Sequence, residues 1–167
     1  ADALEIARNE SVQLVISDIM MPVMDGIELC RTLKGDMATS HIPVILLTAK
    51  GQSNDVMSGY ESGAEAYVQK PFDPHILELQ VKNIISLQNA MRSEIAESDS
   101  ADIESSQLSM LDKEFIGKMR KIVEDNISNN DFSVGDITSG LGISRSLLHI
   151  KMKNLMGMST GDYIRKK

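Results

Sequence analysis

The chain has 167 residues, 42% hydrophobic and 25% charged, which fits one ordinary or two small globular domains and excludes wholesale disorder. No apolar run reaches the ~20 residues of a membrane span, no signal peptide is visible, and the single cysteine, Cys30, excludes a disulfide framework and cysteine-clustered zinc. The net charge of −7 is uneven: residues 1–97 hold 14 acids and 7 bases, residues 98–111 three acids and no base, and residues 112–167 seven acids and ten bases. An acidic front followed by a basic end suggests two modules, the second suited to a polyanion. Aromatics are only 4%, with no Trp, which argues against stacking platforms for nucleic acid.

In chain order, Ala1–Asn9 has the spacing of a helix. Val12–Ser17, Pro43–Leu47 and the shorter Ala66–Gln69 are apolar runs without polar alternation, the pattern of strands buried on both faces. Between them lie helical patterns. One follows Gly26 with Ile27, Leu29, Cys30 and Leu33, and another carries Val56, Met57 and Tyr60 and ends at Gly63. A long helix is expected after Asp73 and Pro74, which suit an N-cap and a first helical residue; it carries Ile76, Leu77, Leu79, Val81, Ile84, Ile85 and Leu87. Alternating strands and helices imply a parallel sheet covered on both faces. Three strands alone would leave one long apolar edge uncovered, so the front of this domain is expected to lie outside the chain.

Residues 93–110, rich in Ser, Asp and Glu, read as a linker, with a helical continuation through Met91–Ala96 as the alternative. Beyond it no strand pattern occurs. Phe115, Met119, Ile122, Val123 and Ile127 fall at helical spacing; Ser133 suits an N-cap for Val134–Leu141; Ser144 caps a helix through Leu155; Gly157 ends it, and Ser159 opens another at Thr160. Two short helices joined at Leu141-Gly142-Ile143-Ser144 form a helix-turn-helix pattern.

The most informative string is Ser17–Gly26, SDIMMPVMDG. Asp18 directly follows a strand, so it projects from the carboxyl edge of the sheet, where ligand sites of α/β folds form. Thr48 ends the second strand and Lys70 the third. An Asp, a Thr and a Lys at three successive strand ends converge on one small volume and suit phosphoryl chemistry at a carboxylate: nucleophile, hydrogen-bond donor and neutralising cation. Each residue alone has a bland reading, as a turn cap, an ordinary strand residue and a solvated lysine.

With these residues the sequence resembles the response-regulator receiver family. The matching marks are Asp18 followed by MMPVMDG, Thr48-Ala49 at 30 residues beyond Asp18, Lys70-Pro71-Phe72 at 52 beyond, and Tyr67 three residues before the lysine. The resemblance covers residues 1–92. It implies an incomplete flavodoxin-like doubly wound parallel sheet, Asp18 as phosphoacceptor, Thr48 and Tyr67 as the switch, and Mg²⁺ bound through Asp18 and the backbone carbonyl of Met20. The family's first strand ends in two acids that hold the metal, and no such segment occurs here, so weak metal binding and poor phosphorylation are expected of this stretch.

Phe132–Lys167 resembles the first part of an AraC-type DNA-binding domain, through its Phe-Ser-Val opening, its Leu-Gly-Ile-Ser-Arg-Ser turn and its Gly-x-Ser-Thr-x-x-Tyr-Ile restart. That resemblance makes residues 111–167 a small all-α module. Arg145 and Ser146, then His149, are its base-edge candidates, and Lys151 and Lys153 its phosphate contacts. Leu147, Leu148, Met152 and Leu155 read as the buried stripe of that helix. A solvated cationic face is the alternative for each lysine. The family's second helix-turn-helix unit is not in the sequence, so weak DNA binding is expected. None of His41, His75 and His149 has a Cys or His at ligand spacing.

Together the two resemblances imply a phosphorylation-controlled transcription regulator of a two-component phosphorelay. It would be non-enzymatic and cytoplasmic, with a histidine kinase as phosphodonor, double-stranded DNA as target and a homodimer as the active form. A parent chain could carry sensor and kinase ahead of the receiver in one membrane-bound protein. The rival reading is a receiver-type protein-interaction and dimerisation module without DNA binding.

Overall fold

A computed structural model describes residues 2–49, 61–97, 103, 106 and 108–167. The front half runs α1 (Asp2–Asn9), β1 (Val15–Asp18), α2 (Gly26–Gly35), β2 (Val44–Thr48), β3 (Ala66–Gln69) and α3 (Pro74–Glu97). The helical pattern at Val56, Met57 and Tyr60 lies outside the described residues. The three strands pair in parallel in the order β1-β2-β3, with Val15 opposite Val44, Asp18 opposite Leu47, and Thr48 opposite Gln69. Strand pairing sequesters Val44, Ile45 and Leu46 completely, as the unbroken apolar run predicts. Ala7 of α1 and Leu29, Cys30 and Leu33 of α2 pack with Val44 and Leu46 into one apolar core. Among the described residues no helix is long and apolar enough to cross a membrane.

Local signals explain the helix starts. The Asp25 carboxylate accepts the Glu28 amide at 2.7 Å, and the Asp73 carboxylate accepts the His75 amide at 2.8 Å. The helical half comprises α4 (Met110–Asp125), α5 (Val134–Leu141), α6 (Arg145–Met156) and α7 (Thr160–Lys166). Ser109, Ser144 and Ser159 each accept the amide three residues on at 3.1 Å. Gly142 and Gly157 end α5 and α6 at φ of 67° and 69°, a left-handed conformation that a Cβ penalises. The turn from α5 to α6 is thus only Gly142, Ile143 and Ser144.

At the boundary between the halves the structure takes the helical alternative of the sequence reading. Residues 93–97, at the start of the linker candidate, complete the 24-residue helix α3. The reason is Ile95, one turn beyond Met91: it is 3% exposed and joins Phe115, Met119, Leu148, Met152 and Tyr163 in a second apolar core. The guanidinium of Arg120 donates to the Ile95 carbonyl at 2.6 Å and satisfies an end-of-helix acceptor inside that core. Ile103, within the same expected linker, is also buried in the second core. Helix α3 therefore belongs to both halves.

This sharing gives a direct stability test. Ile95→Ala lowers the unfolding free energy by about 2–5 kcal/mol, as for a fully buried branched side chain. Leu79→Ala, at a residue 56% exposed on the same helix, changes it by about 0.5 kcal/mol or less. Urea unfolding of both variants checks this, and equal effects would remove Ile95 from the second core.

Candidate functional site

Parallel register brings the carboxyl ends of the three strands to one edge. Asp18 closes β1, Thr48 closes β2, and Lys70 directly follows β3. The Lys70 ammonium forms an ion pair with Asp18 Oδ2. The other carboxylate oxygen, Oδ1, accepts the Met20 amide at 3.1 Å. The Lys70 ammonium, with the Met20 amide adding to it, holds the Asp18 carboxyl below its ordinary value of 3.8, against a smaller opposing effect of burial. The lysine and aspartate side chains are 42% and 35% exposed. A pair this wet adds little to stability; it is a reachable anion beside a reachable cation.

Thr48 sits at the same edge but is not drawn into the pair. Its side chain is buried, and its hydroxyl donates to the Ala49 carbonyl at 3.2 Å. Tyr67 lies three residues short of Lys70, opposite Leu46, half-buried against the apolar core of the front half. The peptide bond between Lys70 and Pro71 is cis.

The loop after Asp18 is held by its own backbone. Met21 and Gly26 both donate to the Ile19 carbonyl, at 3.1 and 2.9 Å, and Met24 donates to Pro22 at 3.0 Å. Gly26 is required by close approach: a Cβ there would collide with the Asp18 carbonyl. Val23 adopts φ of 74°, strained for a β-branched residue, and its side chain stands fully in solvent; Met20 of the same loop is also exposed. Sequence reasoning did not single out Ser17, which is buried beneath the site with its hydroxyl on the Asp18 carbonyl at 3.1 Å. Its place in the strand was legible, but the direction of its hydroxyl was not.

A bound Mg²⁺ prefers six oxygen ligands, usually anchored by carboxylates. The described residues supply one carboxylate at this edge, already engaged by Lys70 and Met20, and among them no group of three His, Cys, Asp or Glu could hold a metal. These residues by themselves do not make a magnesium site.

The sequence candidates on α6 divide. Arg145, Ser146, His149 and Lys153 are exposed. Lys151 is not: it is 0% exposed, which corrects the expectation that it lies on the solvent face. Its ammonium meets Asp112 of α4 at 2.7 Å. The stripe of Leu147, Leu148, Met152 and Leu155 has an open place at 151, at four-residue steps from 147 and 155, so helical spacing alone puts that position inside. Residue type obscured this, because lysine is rarely fully buried unless paired. His41 was also unremarkable in sequence. It lies at the junction of the halves, its Nε2 2.9 Å from the Asn154 amide nitrogen. Burial first, and the Lys151 charge second, push its pKa down to about 4.

Comparison with known proteins places residues 1–82 in a match to the family described as response regulator receiver domain. Over 166 residues the chain is 39% identical to histidine kinase P4 of Formosa agariphila, covering 98% of this chain and 12% of that protein. It is 36% identical over 165 residues to the probable transcriptional regulator ycf29 of Pyropia yezoensis, covering 92% of this chain and 70% of that one. Among solved structures, the receiver domain of a signal transduction histidine kinase from Syntrophus aciditrophicus aligns with a TM-score of 0.47 at 40% identity, covering 50% of this chain and 64% of that one.

The Asp18–Lys70 pair predicts a pH response. A depressed folded-state pKa means that the pair stabilises the fold above the ordinary carboxylate value and loses that contribution as pH falls through the folded value. The Asp18 carboxyl resonance titrates below 3.8 in the native protein, and Lys70→Met moves the midpoint upward. A midpoint unchanged by Lys70→Met would separate the two side chains.

Proposed function

The chain belongs, over its first 82 residues, to the response regulator receiver family, and from that premise we propose that Asp18 is the phosphoacceptor of a phosphorelay whose output is the AraC-type helical module at residues 111–167. Receiver domains take phosphoryl groups from histidine kinases, and the family and its transcriptional-regulator relatives mark this stretch as a regulatory module rather than an enzyme. The observation that carries the reading is the solvent-reached carboxylate of Asp18 held ionised against Lys70 at the carboxyl edge of the sheet.

In the proposed step, an Asp18 oxygen attacks the phosphorus of a phosphohistidine. A phosphorus–oxygen bond forms, the phosphorus–nitrogen bond breaks, and the electron pair returns to the donor imidazole. Lys70 then serves the added negative charge in place of the lost carboxylate. Thr48 exchanges its bond to the Ala49 carbonyl for a phosphoryl oxygen, and Tyr67 moves with it as the switch. The exposed apolar side chains of Met20 and Val23 on the rim of the site suit a protein phosphodonor rather than a small one.

On the output side, α6 presents Arg145, Ser146 and His149 from its first two turns, and Lys153 beyond them, to duplex DNA as a homodimer. Burial of Lys151 removes one cation from that face and gives the rival protein-interaction reading its main support. The chain spans 12% of the length of its histidine-kinase relative.

A mobility-shift titration of the full-length protein against duplex pools, with and without a phosphorylated kinase, tests the reading. Phosphorylation tightens duplex binding, Asp18→Asn abolishes that response, and Arg145→Ala costs about 1–3 kcal/mol of sequence discrimination. Salt-insensitive or absent duplex binding in both states would favour the protein-interaction module.

A further inference from the structure

Lys151 is buried in a socket whose partners come from both halves. Its ammonium lies 2.7 Å from Asp112 Oδ1, 2.5 Å from the Met37 carbonyl and 3.3 Å from the Ser40 hydroxyl, with the Phe115 ring centroid at 5.1 Å. A lysine ammonium has three N–H donors. One acceptor here is supplied by α4, and the other two by the segment between α2 and β2. The socket is closed in turn, since Ser40 donates to Asp112 Oδ1 at 2.8 Å and Ser109 donates to Asp112 Oδ2 at 2.6 Å. Only when the two halves are docked are all three donors satisfied.

The seam continues along α6. Asn154, one turn on, meets His41 side chain to side chain, and its carbonyl accepts Arg92 of α3 at 2.6 Å. Gln88 of α3 donates to the His41 carbonyl at 3.3 Å. The front-half segment is itself anchored, because Asp36 pairs with Arg8 of α1 at 2.8 Å. Desolvating an ion pair costs about as much as the pair returns, so an apolar side chain would hold the halves together equally well. What a three-acceptor socket adds is direction. Arg145, His149 and Lys153 recur every four residues on the opposite, exposed face of α6. The socket lies at the amino-terminal end of the strands, where Val15 donates to Pro43, while Asp18 is at the carboxyl end. The contact therefore covers neither the phosphoacceptor nor the exposed face of α6.

We propose that Lys151 is a positioning residue that pins α6 to the Met37–Ser40 segment of the receiver and thereby fixes the angle of the DNA-facing side chains relative to the receiver, without itself touching DNA. The angular claim stands on geometry alone; its DNA consequence rests on α6 being the reading helix. Dimerisation of the receiver would then set the spacing and orientation of paired reading helices through this contact.

The test uses the full chain with spin labels at Glu28→Cys on α2 and Ser139→Cys on α5, both exposed positions; the buried Cys30 is left unlabelled. The native protein gives one narrow distance distribution. Lys151→Met combined with Asp112→Leu, which removes both charges and strands neither, broadens it, with helix content by circular dichroism unchanged. Ser40→Ala, which leaves the ion pair intact, broadens it to a lesser degree. A distribution as narrow as the native one in both variants overturns the pin. A second arm measures the salt dependence of duplex binding. Lys153→Ala reduces the slope by about one, whereas Lys151→Ala leaves it unchanged. An equal loss for Lys151→Ala makes it a phosphate contact and overturns the proposal. Should no form bind duplex DNA, the reading-helix assignment fails, and the distance distributions decide the pin by themselves.

Discussion

Parallel pairing of β1, β2 and β3 is the constraint on which the candidate site depends. In a parallel ladder the carboxyl ends of neighbouring strands share one edge. Residues 18, 48 and 70 therefore become neighbours although 30 and 52 positions separate the latter two from the first. Side chains do little to enforce this. The wet Asp18–Lys70 pair is too weakly worth having to hold the sheet, and Thr48 makes a local hydrogen bond only. The strands are held by the complete burial of Val44, Ile45 and Leu46 in the central strand. The site is thus positioned by hydrophobic burial acting through backbone register.

The second constraint is the length of α3. Its last turns carry Met91 and Ile95 into the second core, while Gln88 reaches back to the His41 carbonyl of the front half. Buried cations mark the places where it matters: Arg120 on the Ile95 carbonyl at the end of α3, and Lys151 in its socket against the front half. Lys151 has all three donors engaged where the halves meet, whereas Arg120 holds the end of α3 with its Nε left unpartnered. The molecule concentrates buried charge at its internal junction and leaves exposed charge at the sheet edge and along α6.

How much of this was readable in the sequence follows from what each signal encodes. The three strands, α2, the start of α3 and the serine-capped helices of the second half were legible because periodicity and caps are local. Asp18, Thr48 and Lys70 were legible as a set because strand ends are predictable from apolar runs. The pairing of Asp18 with Lys70, and its exclusion of Thr48, was not, since rotamers at a sheet edge are set by neighbours distant in sequence. The sequence left residues 93–96 open between linker and helix, because Ser and acidic composition opposed one isoleucine, and only the second core shows why Ile95 prolongs the helix. Lys151 was misread for the opposite reason: its position followed the buried stripe, but its charge suggested solvent. Asp112, Ser40 and the Met37 carbonyl, which make its burial tolerable, lie 39, 111 and 114 residues away.

The central claim is that phosphoryl groups land on one particular carboxylate. Borohydride reduction of the phosphorylated full-length protein, followed by peptide sequencing, locates an acyl phosphate directly, because the reduced aspartyl group is read as homoserine. The account predicts homoserine at sequence position 18 and at no other acidic position of the receiver. Homoserine at another carboxylate, or a stable phosphoryl group on a hydroxyl or imidazole with position 18 intact, would contradict it.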